Sequence, residues 1–281
     1  MEENWHNNQH PALIAAACQA VDGIPQKTYT AASAIVLLTG AADIHDDIID
    51  KSKTKASKQT AYGKFGPNAT LLAGDALLFT GLIQFNRACH EYSVEKRQKL
   101  LSILEDAFLR IGNAAVNEEA LKEKRVPSPE QYRQALEDKG AVAQACTIIG
   151  AIIGDAKPLE AEALANVGKI LGTLMTIRNE FADLQYPEEL INRAKREVLP
   201  LPALYALKHP TAKKQVLKLL GNCLTTRKAQ QIAEIVLETE AVKDLKKEMA
   251  LMAENAETEL TKVRGDTGSF RLLLELATTD L

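Results

Sequence analysis

What the 281-residue sequence lacks narrows its function before any motif is considered. It has no surplus of positive charge: the net charge is −3 and the isoelectric point near 6.0. It therefore lacks the basic field that nucleic-acid binders use against phosphates, and no nucleic-acid partner is expected. Its four cysteines, Cys18, Cys89, Cys146 and Cys223, form no CxxC pair. Neither a disulfide framework nor a zinc knuckle is indicated, which fits a reducing, cytoplasmic compartment. The start MEENWHNNQHP carries acids and amides where a secretory leader would have a basic end and an apolar core. The apolar stretch AVAQACTIIGAIIG at 141–154 is too short to span a bilayer and contains a glutamine, so no transmembrane segment is expected. Linkers, fixed repeats and period-two strand patterns are also missing, which leaves residues 1–281 as a single domain.

What is abundant points one way. Ala, Leu, Glu, Lys and Gln dominate, aromatics are 5%, and apolar residues recur every three or four positions, as in EKRQKLLSILEDAFLRIGNAA. This is helical periodicity along the whole chain. Boundaries are written in local chemistry: Gly66-Pro67-Asn68 before a run from Ala69, Pro127-Ser128-Pro129 ahead of EQYRQALEDKGA, and Lys157-Pro158 before LEAEALANVG. Ser128 suits an N-cap and Pro129 the first helical position. The pattern predicts about ten helices in an all-α fold. The one local bias is the lysine-rich KSKTKASK at 51–58.

Against this background DIHDDIID at 43–50 stands out, because it ends the apolar run AIVLLTGAA in four carboxylates, Asp43, Asp46, Asp47 and Asp50. Offsets of 3, 4 and 7 place all four on one helix face. Carboxylates at i, i+1 and i+4 offer hard oxygen ligands of the kind Mg²⁺ takes while keeping waters and phosphate oxygens. A solvated face is the bland alternative, but the buried lead-in makes unneutralised carboxylates costly there. A second, weaker cluster, Asn179, Glu180 and Asp183 in TLMTIRNEFADL, repeats the spacing. Two such helices facing one another would form a metal-bridged pocket for a pyrophosphate.

The sequence resembles the trans-isoprenyl (polyprenyl) diphosphate synthases through HPALIAAACQAVDG, AADIHDDIID, GKFGPNATLLAGDALL, YRQALEDKGAVAQACTIIGAIIG, GKILGTLMTIRNEFADL and LPLPALYALKHP, in that order. The resemblance implies an all-α bundle around a central cavity, a homodimer or a heteromer with an active homologue, and Mg²⁺ held on an allylic diphosphate. It also implies a prenyltransferase that ionises this substrate, lets isopentenyl diphosphate attack the cation, and then loses a proton. By position, Asp46, Asp47 and Asp50 are the first catalytic, metal-binding motif, and Glu180 and Asp183 belong to the second. Lys55, Lys139 and Lys195 (or Arg196) stand at diphosphate-contacting positions. Leu38, Ala41 and Ala42 stand at the floor of the chain-length tunnel. With alanines at 41 and 42 the tunnel should run deeper, past Leu38 towards Ala34, for a product of C20 or longer; close helix packing is the competing explanation.

Departures from the family pattern matter as much. Asn7 and Asn8 replace a lysine and arginine that hold isopentenyl diphosphate, Lys55 and Ala56 replace an arginine pair, and Met175 and Thr176 replace a phenylalanine and glutamine. Gly140 takes the place of a threonine, and NEFAD the place of DDxxD. Lysine lacks the bidentate fork of arginine, so phosphate binding should weaken. These changes also allow a catalytically weak regulatory subunit, or a cyclase-like or other-acceptor prenyltransferase that uses the allylic diphosphate alone.

Overall fold

A computed structural model of the protein describes residues 8–55, 58–124, 126–221 and 223–279. Almost all of it is helical, as the periodicity predicts. The helices are α1 (Gln9–Gln19), α2 (Tyr29–Ile49), α3 (Ala61–Cys89), α4 (Val94–Lys122), α5 (Pro129–Lys139), α6 (Ala141–Ile153) and α7 (Pro158–Gln185). They continue with α8 (Pro187–Arg196), α9 (Leu201–Ala206), α10 (Pro210–Leu220), α11 (Thr226–Leu237), α12 (Glu240–Leu260) and α13 (Gly268–Thr278). The exception to helix lies in the lysine-rich segment, where β1 (Thr54–Lys55) and β2 (Lys58–Gln59) pair antiparallel, Thr54 opposite Gln59. Several starts follow the local chemistry: Ser128 caps α5 by accepting the Gln131 N–H at 3.4 Å, and Pro158 opens α7. Around Gly66 the expected break is a kink instead. Its φ of 76°, which glycine adopts without a Cβ penalty, interrupts α3 without ending it.

The chain forms two compact units. The first comprises residues 1–105, 145–164 and 263–267. Its axis is the pairing of α2 with α3. Gly74 and Gly81, seven residues apart, lie on the α3 face that meets α2, and a Cβ at Gly81 would come within 2.7 Å of Leu38 Cδ2. Ala34, Ile35, Leu38 and Ala41 of α2 and Phe85 and Cys89 of α3 are all buried. The opposite face of α3 shows Leu72, Phe79 and Ile83 at 69%, 63% and 53% exposure. Among the described helices, α3 is long and apolar enough to cross a membrane by length and composition, yet its other face is the α2 seam.

The second unit comprises residues 106–144, 165–262 and 268–281. Tyr132, Leu136, Leu171, Leu174, Ile177 and Phe181 are its largest buried side chains from α5 and α7. Gly172 of α7 rests on Gly140 at the end of α5; a Cβ on Gly172 would lie 2.2 Å from the Gly140 carbonyl oxygen. That backbone-to-backbone approach sets where Lys139 and the later part of α7 sit. Gly172→Ala should therefore destabilise the protein by about 1–3 kcal/mol, despite the ~1 kcal/mol alanine gains over glycine in a helix. A lower urea midpoint at unchanged m-value is the expected readout.

Candidate functional site

The first acidic motif occupies the last turns of α2. Asp46 is exposed, Asp43, Asp47 and Asp50 are half-buried, and Asp50 is the C-cap, its N–H bonded to the Asp46 carbonyl at 2.9 Å. A helix C-terminus already carries partial negative charge, so four carboxylates there concentrate one sign. Asp47 responds: its pKa is pushed up to about 6, by burial first and then by Asp43, Asp46 and Asp50, with Lys55 pulling it down. Among the described residues no three His, Cys, Asp or Glu groups converge as a ready-made metal cage, consistent with carboxylates that repel one another. Mg²⁺ keeps several waters and substrate oxygens as ligands and needs no such cage. Asp46, Asp47 and Asp50 are oxygen donors of the type such an ion takes, although the three do not converge on one point.

The loop that follows brings Lys55 to the motif. Lys51 takes a left-handed backbone (φ 54°) that turns the chain out of α2, and the Ser52 N–H bonds the Asp47 carbonyl at 2.9 Å. Thr60 then pins the hairpin from its far side. Its hydroxyl donates to the Ser52 carbonyl at 2.6 Å and accepts from the Gly63 N–H at 2.9 Å, capping α3. His45 points to α3, with Nε2 3.2 Å from Asp75 Oδ1 but off the hydrogen-bond direction; the missing Cβ of Gly74 makes the room. Of the expected tunnel residues, Leu38 and Ala41 are buried in the helix body and Ala42 is exposed. On the α3 side Leu38 meets Gly81, where a Cβ would come within 2.7 Å of Leu38 Cδ2. Asn8 is the N-cap of α1, while Asn7 and Ala56 lie outside the described residues.

The second motif is organised differently. Asn179 is exposed, but Glu180 is 5% exposed and held by Arg193, also 5% exposed, from α8. Arg193 Nη1 donates to Glu180 Oε1 at 2.9 Å and to Asp183 Oδ2 at 2.6 Å, and Nη2 donates to Glu180 Oε2 at 3.1 Å. Tyr132 donates its hydroxyl proton to Glu180 Oε1 at 3.1 Å and accepts from Arg193 Nη2. The Leu201 N–H adds a bond to Glu180 Oε2 at 2.9 Å, and Arg193 Nε donates to the Val198 carbonyl at 3.0 Å. Burial opposes the Arg193 charge, but Glu180, Tyr132, Asp183 and Glu197 hold its pKa well above the usual value. Of the two expected metal ligands, Glu180 is placed in a buried ion pair with both oxygens occupied, which does not fit a metal ion as it stands, while Asp183, 34% exposed, gives Oδ2 to Arg193.

Of the expected basic contacts, Lys139 is ion-paired with Glu118. Burial alone would raise the Glu118 carboxyl, yet Lys139 and more distant cations leave it below the usual range. Lys195 and Arg196 are exposed in the last turn of α8. Arg193 itself was missed by sequence reasoning, hidden in NRAKREV among three other charged residues. Nothing in its local pattern says that it alone of this basic group turns inward. Arg178, beside Asn179, was missed too; its Nε is buried without a hydrogen-bond partner.

Comparison with known proteins gives this arrangement its context. The family profile for polyprenyl synthetase matches residues 8–239. The chain belongs to the polyprenyl synthetase family. A short chain isoprenyl diphosphate synthase of Methanothermobacter thermautotrophicus is 26% identical over 184 residues, 65% of this chain and 56% of the relative. An octaprenyl diphosphate synthase of Escherichia coli is 24% identical over 238 residues, 81% of this chain and 70% of the relative. The match thus spans little more than half the length of the first of these. Among solved structures, the geranylgeranyl pyrophosphate synthetase of Pyrococcus horikoshii superposes with a TM-score of 0.82 at 20% identity, over 97% of this chain and 85% of that one. A geranylgeranyl pyrophosphate synthase of Corynebacterium glutamicum, complexed with isoprenyl diphosphate and magnesium, gives 0.84 at 18% identity, over 99% and 88%.

Within this polyprenyl synthetase fold one titratable group lies close to the first motif and lends itself to measurement. His10, in the first turn of α1, has its pKa lowered from 6.5 to about 4, by burial against the opposing pull of Asp43. The unfolded chain takes up this proton near pH 6.5 and the folded chain only near pH 4. The His10 contribution to stability is therefore complete above pH 6.5 and is lost as pH drops from there towards 4. Asp47, raised to about 6, is protonated first in the folded chain and offsets part of this loss, so urea midpoints of His10→Gln should fall less than those of the wild type, or rise, between about pH 7.5 and about pH 5.

Proposed function

We propose that the protein is a Mg²⁺-dependent prenyltransferase that joins isopentenyl diphosphate to an allylic diphosphate and gives a product of C20 or longer. The observation that carries this reading is the carboxylate array at the end of α2, with Lys55 beside Asp47. Asp46, Asp47 and Asp50 hold the metal, which when bound draws charge from the leaving diphosphate. Lys55 offers its ammonium to a diphosphate oxygen on the same side. Family membership supports the reaction class, and the names of relatives, geranylgeranyl, octaprenyl and nonaprenyl diphosphate synthases, support the longer product. The exposed stripe Leu72, Phe79 and Ile83 on α3 favours an oligomer, homodimer or heteromer, over a lone chain.

One observation favours a second reading, a catalytically weak subunit that acts with an active homologue: the engagement of Glu180 and Asp183 by Arg193. A single assay separates the two. Purified protein with Mg²⁺, labelled isopentenyl diphosphate and C10, C15 and C20 primers should elongate at least one primer to C20 or beyond. Asp46→Ala should remove more than nine-tenths of that activity, because a ligand is lost from the metal and diphosphate cluster. No product from the wild type, in a preparation where a control synthase works, would sink the first reading in favour of the second.

A further inference from the structure

We propose that in this chain the Arg193 guanidinium is the permanent cation of the second acidic motif, so that Glu180 and Asp183 take no divalent ion and metal binding is confined to the first motif. The confinement to the first motif rests on the reading of Asp46, Asp47 and Asp50 given above.

The argument is one of saturation. A guanidinium has five N–H donors, and every one here has an acceptor. Nε donates to the Val198 carbonyl, Nη1 to Glu180 Oε1 and Asp183 Oδ2, and Nη2 to Glu180 Oε2 and the Tyr132 hydroxyl. Glu180 is equally occupied. Oε1 accepts from Arg193 and Tyr132, and Oε2 from Arg193 and the Leu201 N–H, which fills two acceptor positions on each oxygen. The pairing is the bidentate fork that suits arginine to a carboxylate.

A divalent ion on Glu180 would have to remove Arg193 from this cluster. Arg193 could leave only by abandoning the Val198 carbonyl and Tyr132 as well, and it would leave Tyr132 and the Leu201 N–H facing a rearranged carboxylate. The loop from Glu197 to Leu201 closes over the pair: Glu197 lies 3.7 Å from Arg193 Nε, and the backbone at Val198 and Leu201 bonds to Arg193 and to Glu180 respectively. Asn179, at the motif's first position, removes one of the charges that would draw a metal in. The cluster keeps the geometry of an acidic motif while its cation is covalently part of the chain.

The test counts metal. Mn²⁺ bound to the full-length protein in the presence of inorganic pyrophosphate is titrated by electron paramagnetic resonance for the wild type, Asp46→Asn, Asp183→Asn, Arg193→Met and the double variant Asp183→Asn/Arg193→Met. Asp183→Asn should bind as many Mn²⁺ ions as the wild type, and Asp46→Asn should bind fewer. Arg193→Met should melt at a lower temperature, recover part of that loss on adding Mn²⁺, and gain at least one ion, which the double variant lacks. A folded Asp183→Asn protein that binds one ion fewer than the wild type overturns the proposal. So does an Arg193→Met protein that folds but gains no ion. Should Arg193→Met fail to fold, the Asp183→Asn count still decides, because that side chain is 34% exposed and its loss leaves the Glu180 pair in place. If Asp46→Asn binds as much as the wild type, the reading of the first motif fails, and the Asp183→Asn count decides the second motif separately.

Discussion

A carboxylate withdrawn from water needs a cation, and this requirement organises both acidic segments of the molecule. Leaving one partner of a buried ion pair uncompensated costs roughly 3–5 kcal/mol, so a buried acid in a stable fold has its neutralising charge close at hand. In α7 that charge is internal. Arg193 and Glu180 bury each other almost completely, and Tyr132, the Val198 carbonyl and the Leu201 N–H complete their bonds. In α2 the carboxylates remain partly in water at a helix end, and the raised pKa of Asp47 records first its partial burial and then the neighbouring carboxylates, against the pull of Lys55. Carboxylates three residues apart on a helix, Asp47 and Asp50 in one case and Glu180 and Asp183 in the other, have reached two different electrostatic solutions.

The second solution also ties local structure together. Arg193 comes from α8, Tyr132 from α5, Glu180 from α7 and the Leu201 N–H from the start of α9, so one ion pair fastens four helices of its unit. The close approach of Gly172 to Gly140 sets the same α5 and α7 against each other a few turns away. Burial of Leu174, Ile177 and Phe181 on α7 supplies apolar area around the pair, at about 25 cal/mol per Å². A low-dielectric surround strengthens the attraction and raises the cost of separating the charges. In the first unit the glycines of α3 do a comparable job for α2. Gly74 and Gly81 let the helices approach, with His45 and Ile44 against the first and Leu38 and Ala34 against the second.

For the family reaction the two halves weigh differently. The carboxylates at the end of α2 stay partly exposed with Lys55 near Asp47, the arrangement on which the proposed function rests. The other expected cations have found protein partners or solvent: Lys139 pairs with Glu118, and Lys195 is exposed. A lysine placed by sequence position alone carries no statement about what its ammonium will meet, and that is where expectation and structure part.

The all-α character, several of the helix starts, the unpaired cysteines and the acidic end of α2 follow from short-range patterns: periodicity, capping residues and clustered charge. Such patterns act within a few residues, and a linear reading recovers them. The kink at Gly66, the hairpin in KSKTKASK and the short helices after Pro200 escaped it, because turn geometry and burial decided them. The sequence likewise determined that Glu180 and Asp183 share a helix face, since that follows from the helical repeat. Only the tertiary structure decided what they would face. Arg193, Lys195 and Arg196 are near neighbours of like charge, and which of them turns inward depends on how α8 lies against α5 and α7, a matter of packing between segments far apart in the chain.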